Sequence, residues 1–243
     1  MLQVDTYSDI GGMEKNEDRV AGWHKGLRKM CFLIADGLGG CGDGEIAAAA
    51  AIDSIKEEWD GQVSQAAWKS LLAHAHERVL QMQNAETQMK TTIVGLMLDA
   101  DRAVWAHIGD SRLYHFQDGK LVFQTKDHSV SQIAVMLGEI PLSQIRFHKD
   151  RPLLFRALGQ SGETPAPQID EQTLENGLHA FLLCTDGFWE YVLEEEMEQD
   201  LQAAHSAKQW LSSMRQRLQA RAPRGNDNNS AIVIWEKIEK RED

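Results

Sequence analysis

Six consecutive apolar residues, Met30 to Ala35, run straight into Asp36, and Gly37, Gly39, Gly40, Gly42 and Gly44 follow. An unbroken apolar run of this length is the pattern of a strand buried on both faces. An acid at the end of such a strand is costly unless something pairs with it. The glycines let the backbone turn sharply and approach whatever the acid holds. Standing alone, an Asp-Gly pair is a tight turn. Here it recurs: His179 to Thr185 is a second apolar run, and it too ends in Asp-Gly, at Asp186 and Gly187.

The rest of the chain supplies the partners for these strands. Leu2 to Ser8 alternates loosely as an opening strand. Asp9 to Arg19 reads as a loop or strand end, and Trp23 to Arg28 as a hairpin turn into the buried strand. Glu45 to Trp59 is a helix whose alanines, Ala47 to Ala51, permit close packing on a sheet. Ser64 caps a second helix, expected to run to about Met89, with Trp68, Leu71, Leu72, Ala75, Val79 and Met82 on its inner stripe. His74 and His76 are two apart on it and face different ways, as surface or packing residues.

From Thr91 the period becomes that of strands. Two hairpins are expected, turning at Asp99 to Asp101 and at Asp118-Gly119. Ser129 to Leu137 is a short helix closed by Gly138. Glu139 to Pro152 reads as an irregular, mobile loop, and Ser161 to Pro167 as a surface loop. Glu194 to Glu198 starts an acidic helix. Ser206 to Ala222 is another, with Trp210, Leu211, Met214 and Leu218 inward. A final buried strand starts near Ser230, and Lys237 to Asp243 is a charged tail. One domain is the default at 243 residues.

Composition removes several function classes. The formal net charge of −12 argues against nucleic acid, because polyanions select basic surfaces. No apolar run approaches the roughly 18 residues of a membrane span. The opening residues lack the basic and apolar regions of a signal peptide, and the three cysteines form no C-x-x-C pair. A cytoplasmic protein is expected. No G-x-x-x-x-G-K-[ST] loop is present for nucleotides.

Asp36, Asp110, Asp186 and Asp227 each lie at or beside a strand end. Antiparallel sheets have two rims, and if these acids share one they form a carboxylate cluster. Such a cluster cannot stay ionised without cations. All-oxygen ligands favour Mg²⁺ or Mn²⁺, and no Cys/His cluster competes. Two such ions can share a hydroxide aimed in line at phosphorus.

Seven short motifs fall in one order along the chain: NED at Asn16 to Asp18, ADGLGG at Ala35 to Gly40, GDSR at Gly109 to Arg112, DHS at Asp127 to Ser129, RALG at Arg156 to Gly159, TDG at Thr185 to Gly187 and DN at Asp227 to Asn228. In them the chain resembles the metal-dependent protein phosphatases of the PP2C (PPM) family in its compact bacterial form. The resemblance implies an α+β fold, an α-β-β-α sandwich of two antiparallel sheets flanked by helices. It implies one domain over residues 1–243, with a flap subregion at about 139–167 that bears on substrate choice. By the same resemblance Asp36 bridges two core ions, Mn²⁺ or Mg²⁺. Gly37 gives its carbonyl to the second, Asp186 and Asp227 complete the first, and Glu17 lies near the second. Asp18 and Asn228 support the cluster, and Asp110 with Asp186 forms a weaker third site. The implied reaction is hydrolysis of phosphoserine and phosphothreonine in proteins that are substrates of a Ser/Thr kinase. A monomer without nucleic-acid or membrane partners is expected.

Two positions depart from the family pattern. An arginine that grips the substrate phosphate is usual three residues before the NED run, and here Met13 stands there. A thioether cannot donate a hydrogen bond. Lys15 and Arg19 flank the acidic pair and are the candidate substitutes; without one, the chain would be a phosphoprotein-binding module with weak or no turnover. Leu38 occupies a position where some members carry histidine as a general acid, so water must protonate the leaving oxygen.

Overall fold

The computed structural model describes residues 2–239. Among these residues, ten strands form two antiparallel sheets. The first is ordered β1 (Gln3–Asp9), β10 (Asn229–Ile238), β9 (Gly177–Cys184), β6 (Arg112–Gln117) and β7 (Lys120–Gln124). The second is ordered β2 (Asp18–Lys25), β3 (Lys29–Asp36), β4 (Ile93–Asp99), β5 (Arg102–Ile108) and β8 (Gln168–Thr173).

The apolar run of β3 is explained by where its two faces go. Phe32 and Ile34 meet Val94, Leu96, Phe181, Leu183, Ile232 and Ile234 between the sheets. Cys31, Leu33 and Ala35 turn outward under helices α1 (Gly44–Glu58) and α2 (Gln65–Met82). On the far side, Tyr114, Phe116, Leu182 and Val233 pack against Trp210, Met214 and Leu218 of α6 (Ala207–Arg221), beside α5 (Glu194–Ala203). The layers are therefore helix, sheet, sheet, helix, as the family resemblance implied. Gly95 of β4 is required by close approach: a Cβ there would lie 2.3 Å from the Trp68 ring. That indole donates to the Val104 carbonyl at 3.1 Å.

Ser64, Ser129 and Ser206 each accept a backbone N–H at a helix start, those of α2, α3 (Val130–Met136) and α6. Helix α2 ends at Met82 rather than near Met89. The Asn84 side chain takes the N–H groups of Glu86 and Thr87 and so turns the chain away. β2 occupies Asp18–Lys25, where a loop and turn were expected, and only Gly26 to Arg28 turns. The loop at 139–152 is not wholly irregular. It carries a 3-10 helix, Leu142–Phe147, anchored by buried Arg146, which donates to the carbonyls of Trp189 and Val192 and to Glu194. The edge strand β8 was not anticipated. β10 runs on through Lys237, and residues 240–243 of the expected tail lie outside the described residues. Among the described residues no helix is long and apolar enough to cross a membrane.

Candidate active site

Strand register brings the acids together. In the second sheet Asp36, the last residue of β3, faces Asp18, the first of β2. The Asp36 carbonyl accepts from Thr92 at 2.8 Å, just before β4. In the first sheet Cys184, at the end of β9, faces Arg112 at the start of β6 and Ala231 near the start of β10. Asp110, Asp186 and Asp227 thus share one end. The two sheets are stitched there: Thr185 Oγ1 donates to Asp18 Oδ2 at 3.0 Å and accepts from Ser230 N at 3.0 Å. Thr92 and Ser111 hydroxyls lie 2.7 Å apart. Asn228 Oδ1 accepts from Glu17 N at 2.8 Å, while its amide donates to the Ile10 and Lys15 carbonyls. Glu17, Asp18, Asp36, Gly37, Asp110, Asp186, Asp227 and Asn228 therefore gather at one rim.

The rim is crowded with negative charge. Burial, then the neighbouring Asp18, Asp186, Asp110 and Asp227, pushes Asp36 well above the ordinary carboxylate range. Burial, then Asp186 and Asp127, does the same to Asp110. Burial likewise raises Asp18 to about 7, against hydrogen bonds from Ser230 and Thr185 that favour its charge. Asp227, at the open edge, is raised by partial desolvation and then by Asp186. Glu17 is raised by desolvation and then by Glu45.

These features suit a cationic guest. Asp18 Oδ1 is buried without a hydrogen-bond partner. The glycine turn closes tightly: a Cβ on Gly37 would lie 2.2 Å from Gly44, and one on Gly39 would lie 2.2 Å from Glu17 Oε2. Among the described residues, no three acid, histidine or cysteine side chains converge tightly enough to hold one ion. A protein cation stands among them instead. Arg151 Nη1 donates to Asp186 Oδ2 at 2.8 Å, and Nη2 lies 3.1 Å from Glu190 Oε2.

Arg151 and Trp189 are the site residues that sequence reasoning missed. Trp189, in the short helix α4 (Asp186–Trp189), donates from Nε1 to the Asp110 carbonyl at 3.0 Å. Its ring is covered by Arg112, whose guanidinium is paired with Asp127 at 2.7 Å. Lys15 pairs with Glu45 at 2.7 Å on the exposed surface. Arg19 donates to the Asn16 and Asp18 carbonyls at 3.0 and 2.9 Å. Each thus has a partner within its own loop or beside it.

Fold and rim together define a two-sheet sandwich with its acids gathered at one end. The sequence profile of the protein phosphatase 2C family matches residues 7–228. The chain belongs to that family and is a protein phosphatase. It is 27% identical over 210 residues to the serine/threonine phosphatase stp of Listeria welshimeri, covering 82% of this chain and 78% of that protein. It superimposes on the Mycobacterium tuberculosis serine/threonine phosphatase PstP/Ppp with a TM-score of 0.80, at 29% identity over 98% of this chain and 99% of that one. A structure of the PstP catalytic domain in complex with two manganese ions matches with a TM-score of 0.76, at 27% identity over 96% and 97% of the chains.

Proposed function

We propose that this enzyme hydrolyses phosphoserine and phosphothreonine in proteins, opposing a Ser/Thr kinase, with Mn²⁺ or Mg²⁺ held at the acid rim. The observation that carries the reading is the convergence of Asp18, Asp36, Asp110, Asp186 and Asp227 from separate strands onto one end of the sandwich. So many carboxylates in one place need cations to remain charged. Asp36, Asp186 and Asp227 would hold two core ions, with the Gly37 carbonyl and Glu17 on the second. Asp110 and Asp186 offer a third position. Ions bound there supply Lewis-acid activation of water and offset the charge of the phosphoryl group.

The chain's own residues set the stage for that chemistry. Thr185 orients Asp18 across the sheets, and Asn228 fixes the backbone of the Glu17 loop. Leu38 offers no acidic proton at the turn, so the leaving serine oxygen takes its proton from water. We further propose that residues 1–243 act as one cytoplasmic domain, monomeric, with the flap at 139–167 meeting the protein substrate.

The test is turnover of a phosphothreonine peptide and of p-nitrophenyl phosphate. Hydrolysis is expected with Mn²⁺ or Mg²⁺, abolished by EDTA and restored by adding the ion back. Peptide binding with saturating Mn²⁺ but no turnover would overturn the reading in favour of a binding module.

A further inference from the structure

Met13 leaves the phosphate without its expected grip, and the charged groups around the rim are mostly committed. Arg112 and Arg146 are almost wholly buried in bonds to Asp127, Tyr114, Glu194 and backbone carbonyls. Arg156 donates to the Ala166 carbonyl and lies 3.2 Å from the His128 ring. Lys15 and Arg19 are held as described. Arg151 differs. Its hydrogen-bond and ion-pair partners are Asp186 and Glu190, both carboxylates, and its side chain is 15% exposed. The backbone that carries it is braced, with Arg151 N donating to the His148 carbonyl and Leu153 N to that of Asp150, both at 3.1 Å. A fixed backbone with a long side chain at the mouth suits a group that changes partners.

Asp186 has two claims on it. It is the carboxylate Arg151 now holds, and it is also one the core ion would need. One carboxylate cannot serve both at full strength, so ion binding loosens the guanidinium. A guanidinium freed beside the ions meets the phosphoryl oxygens, whose geometry its planar fork matches in a bidentate contact. We propose that Arg151 is the phosphate-gripping residue of this enzyme, resting on Asp186 until divalent ions take that carboxylate and then turning to the substrate phosphoryl group. The proposal rests on the phosphatase reading above and supplies the contact that Met13 cannot make.

The experiment compares the full-length wild type with Arg151→Ala and Arg151→Lys. Titration calorimetry with MnCl₂ alone reads the resting contact. Arg151→Ala should bind Mn²⁺ several-fold more tightly, because the competing cation is gone. Inorganic phosphate titrated into the Mn²⁺-loaded protein, and KM for a phosphopeptide, read the grip. Both should weaken by about 10- to 100-fold in Arg151→Ala, with kcat changed less, as loss of a charge-assisted contact requires. Arg151→Lys should restore part of the affinity, and matching thermal unfolding curves show that the fold is intact. Unaltered phosphate affinity in Arg151→Ala overturns the grip, and unaltered or weaker Mn²⁺ binding overturns the resting contact. A wild type that takes up Mn²⁺ but turns over no phosphopeptide overturns the phosphatase reading instead, and the two titrations still decide the role of Arg151.

Discussion

Arg112 and Arg151 lie against the same ring, that of Trp189, with guanidinium carbons 3.5 and 5.6 Å from its centre, and each is paired with an aspartate. Arg112 and Asp127 are each 1% exposed, with two parallel hydrogen bonds at 2.7 and 2.8 Å. Arg151 and Asp186 are each 15% exposed, with one such bond. The inner pair is closed in by Tyr114 and by the Trp189 ring, whose indole holds the Asp110 carbonyl. The outer pair engages a carboxylate at the rim and stays near solvent. The same two residue types thus serve as a brace at one depth and as an exchangeable contact at another, and burial decides which.

Breaking the inner pair should give the largest effect. Arg112→Ala leaves Asp127 charged and unpaired in the interior, at a cost of about 3–5 kcal/mol. A large fall in the urea midpoint is expected, and an unchanged midpoint would contradict the brace. At the rim, Asp186→Asn should leave the midpoint near that of the wild type. Its turnover should fall beyond the roughly 10–100-fold typical of outer-shell changes. Equal loss of stability in both variants would erase the contrast between the two depths.

A third test reaches the buried histidines of β6 and β9. His115 is fully buried, with Nε2 2.9 Å from His179 Nδ1, and it stacks on Phe181. Burial, then His179, pushes it from 6.5 down to about 3. The fold therefore prefers the neutral ring. Its stabilising contribution is complete above pH 6.5 and is lost as pH falls from there toward 3, by up to about 1.4 kcal/mol per pH unit. Over that window, His115→Gln should lose less stability than the wild type on acidification, measured by urea unfolding at each pH. Parallel curves would sink the assignment.

The smallest expected change is a gain. Met13→Arg, placed on the exposed loop, should lower the phosphopeptide KM by roughly 3- to 10-fold in the Arg151→Ala background. A smaller gain is expected in the wild type. Equal gains in both backgrounds would mean that the two arginines do not share a ligand.

The sequence announced the residues whose surroundings are periodic. Met30 to Ala35 and His179 to Thr185 were legible as buried strands because both faces are apolar, and the acids at their ends followed. The edge strands were not so plain. β2 and β8 carry polar residues on their open sides, and in QIDEQT the alternation is too weak to separate a strand from a loop. Arg151 was invisible for another reason. It is one cation in a stretch without period, and only the folded positions of Asp186 and Glu190 give it partners. Trp189 is a buried packing residue. That its indole also holds the Asp110 carbonyl is a matter of three-dimensional register alone.

β10 lies between β1 and β9, and the turn entering it supplies Asp227 and Asn228 to a rim begun by Glu17 and Asp18. The first strand therefore waits for the last to find its hydrogen-bonding neighbour, and the timing has a biological edge. If Asp227 holds an ion as proposed, a nascent polypeptide still short of it on the ribosome has no finished centre and would strip no phosphate from bystanders while it is being made. Premature termination upstream of that turn should release an inert product rather than an unregulated fragment.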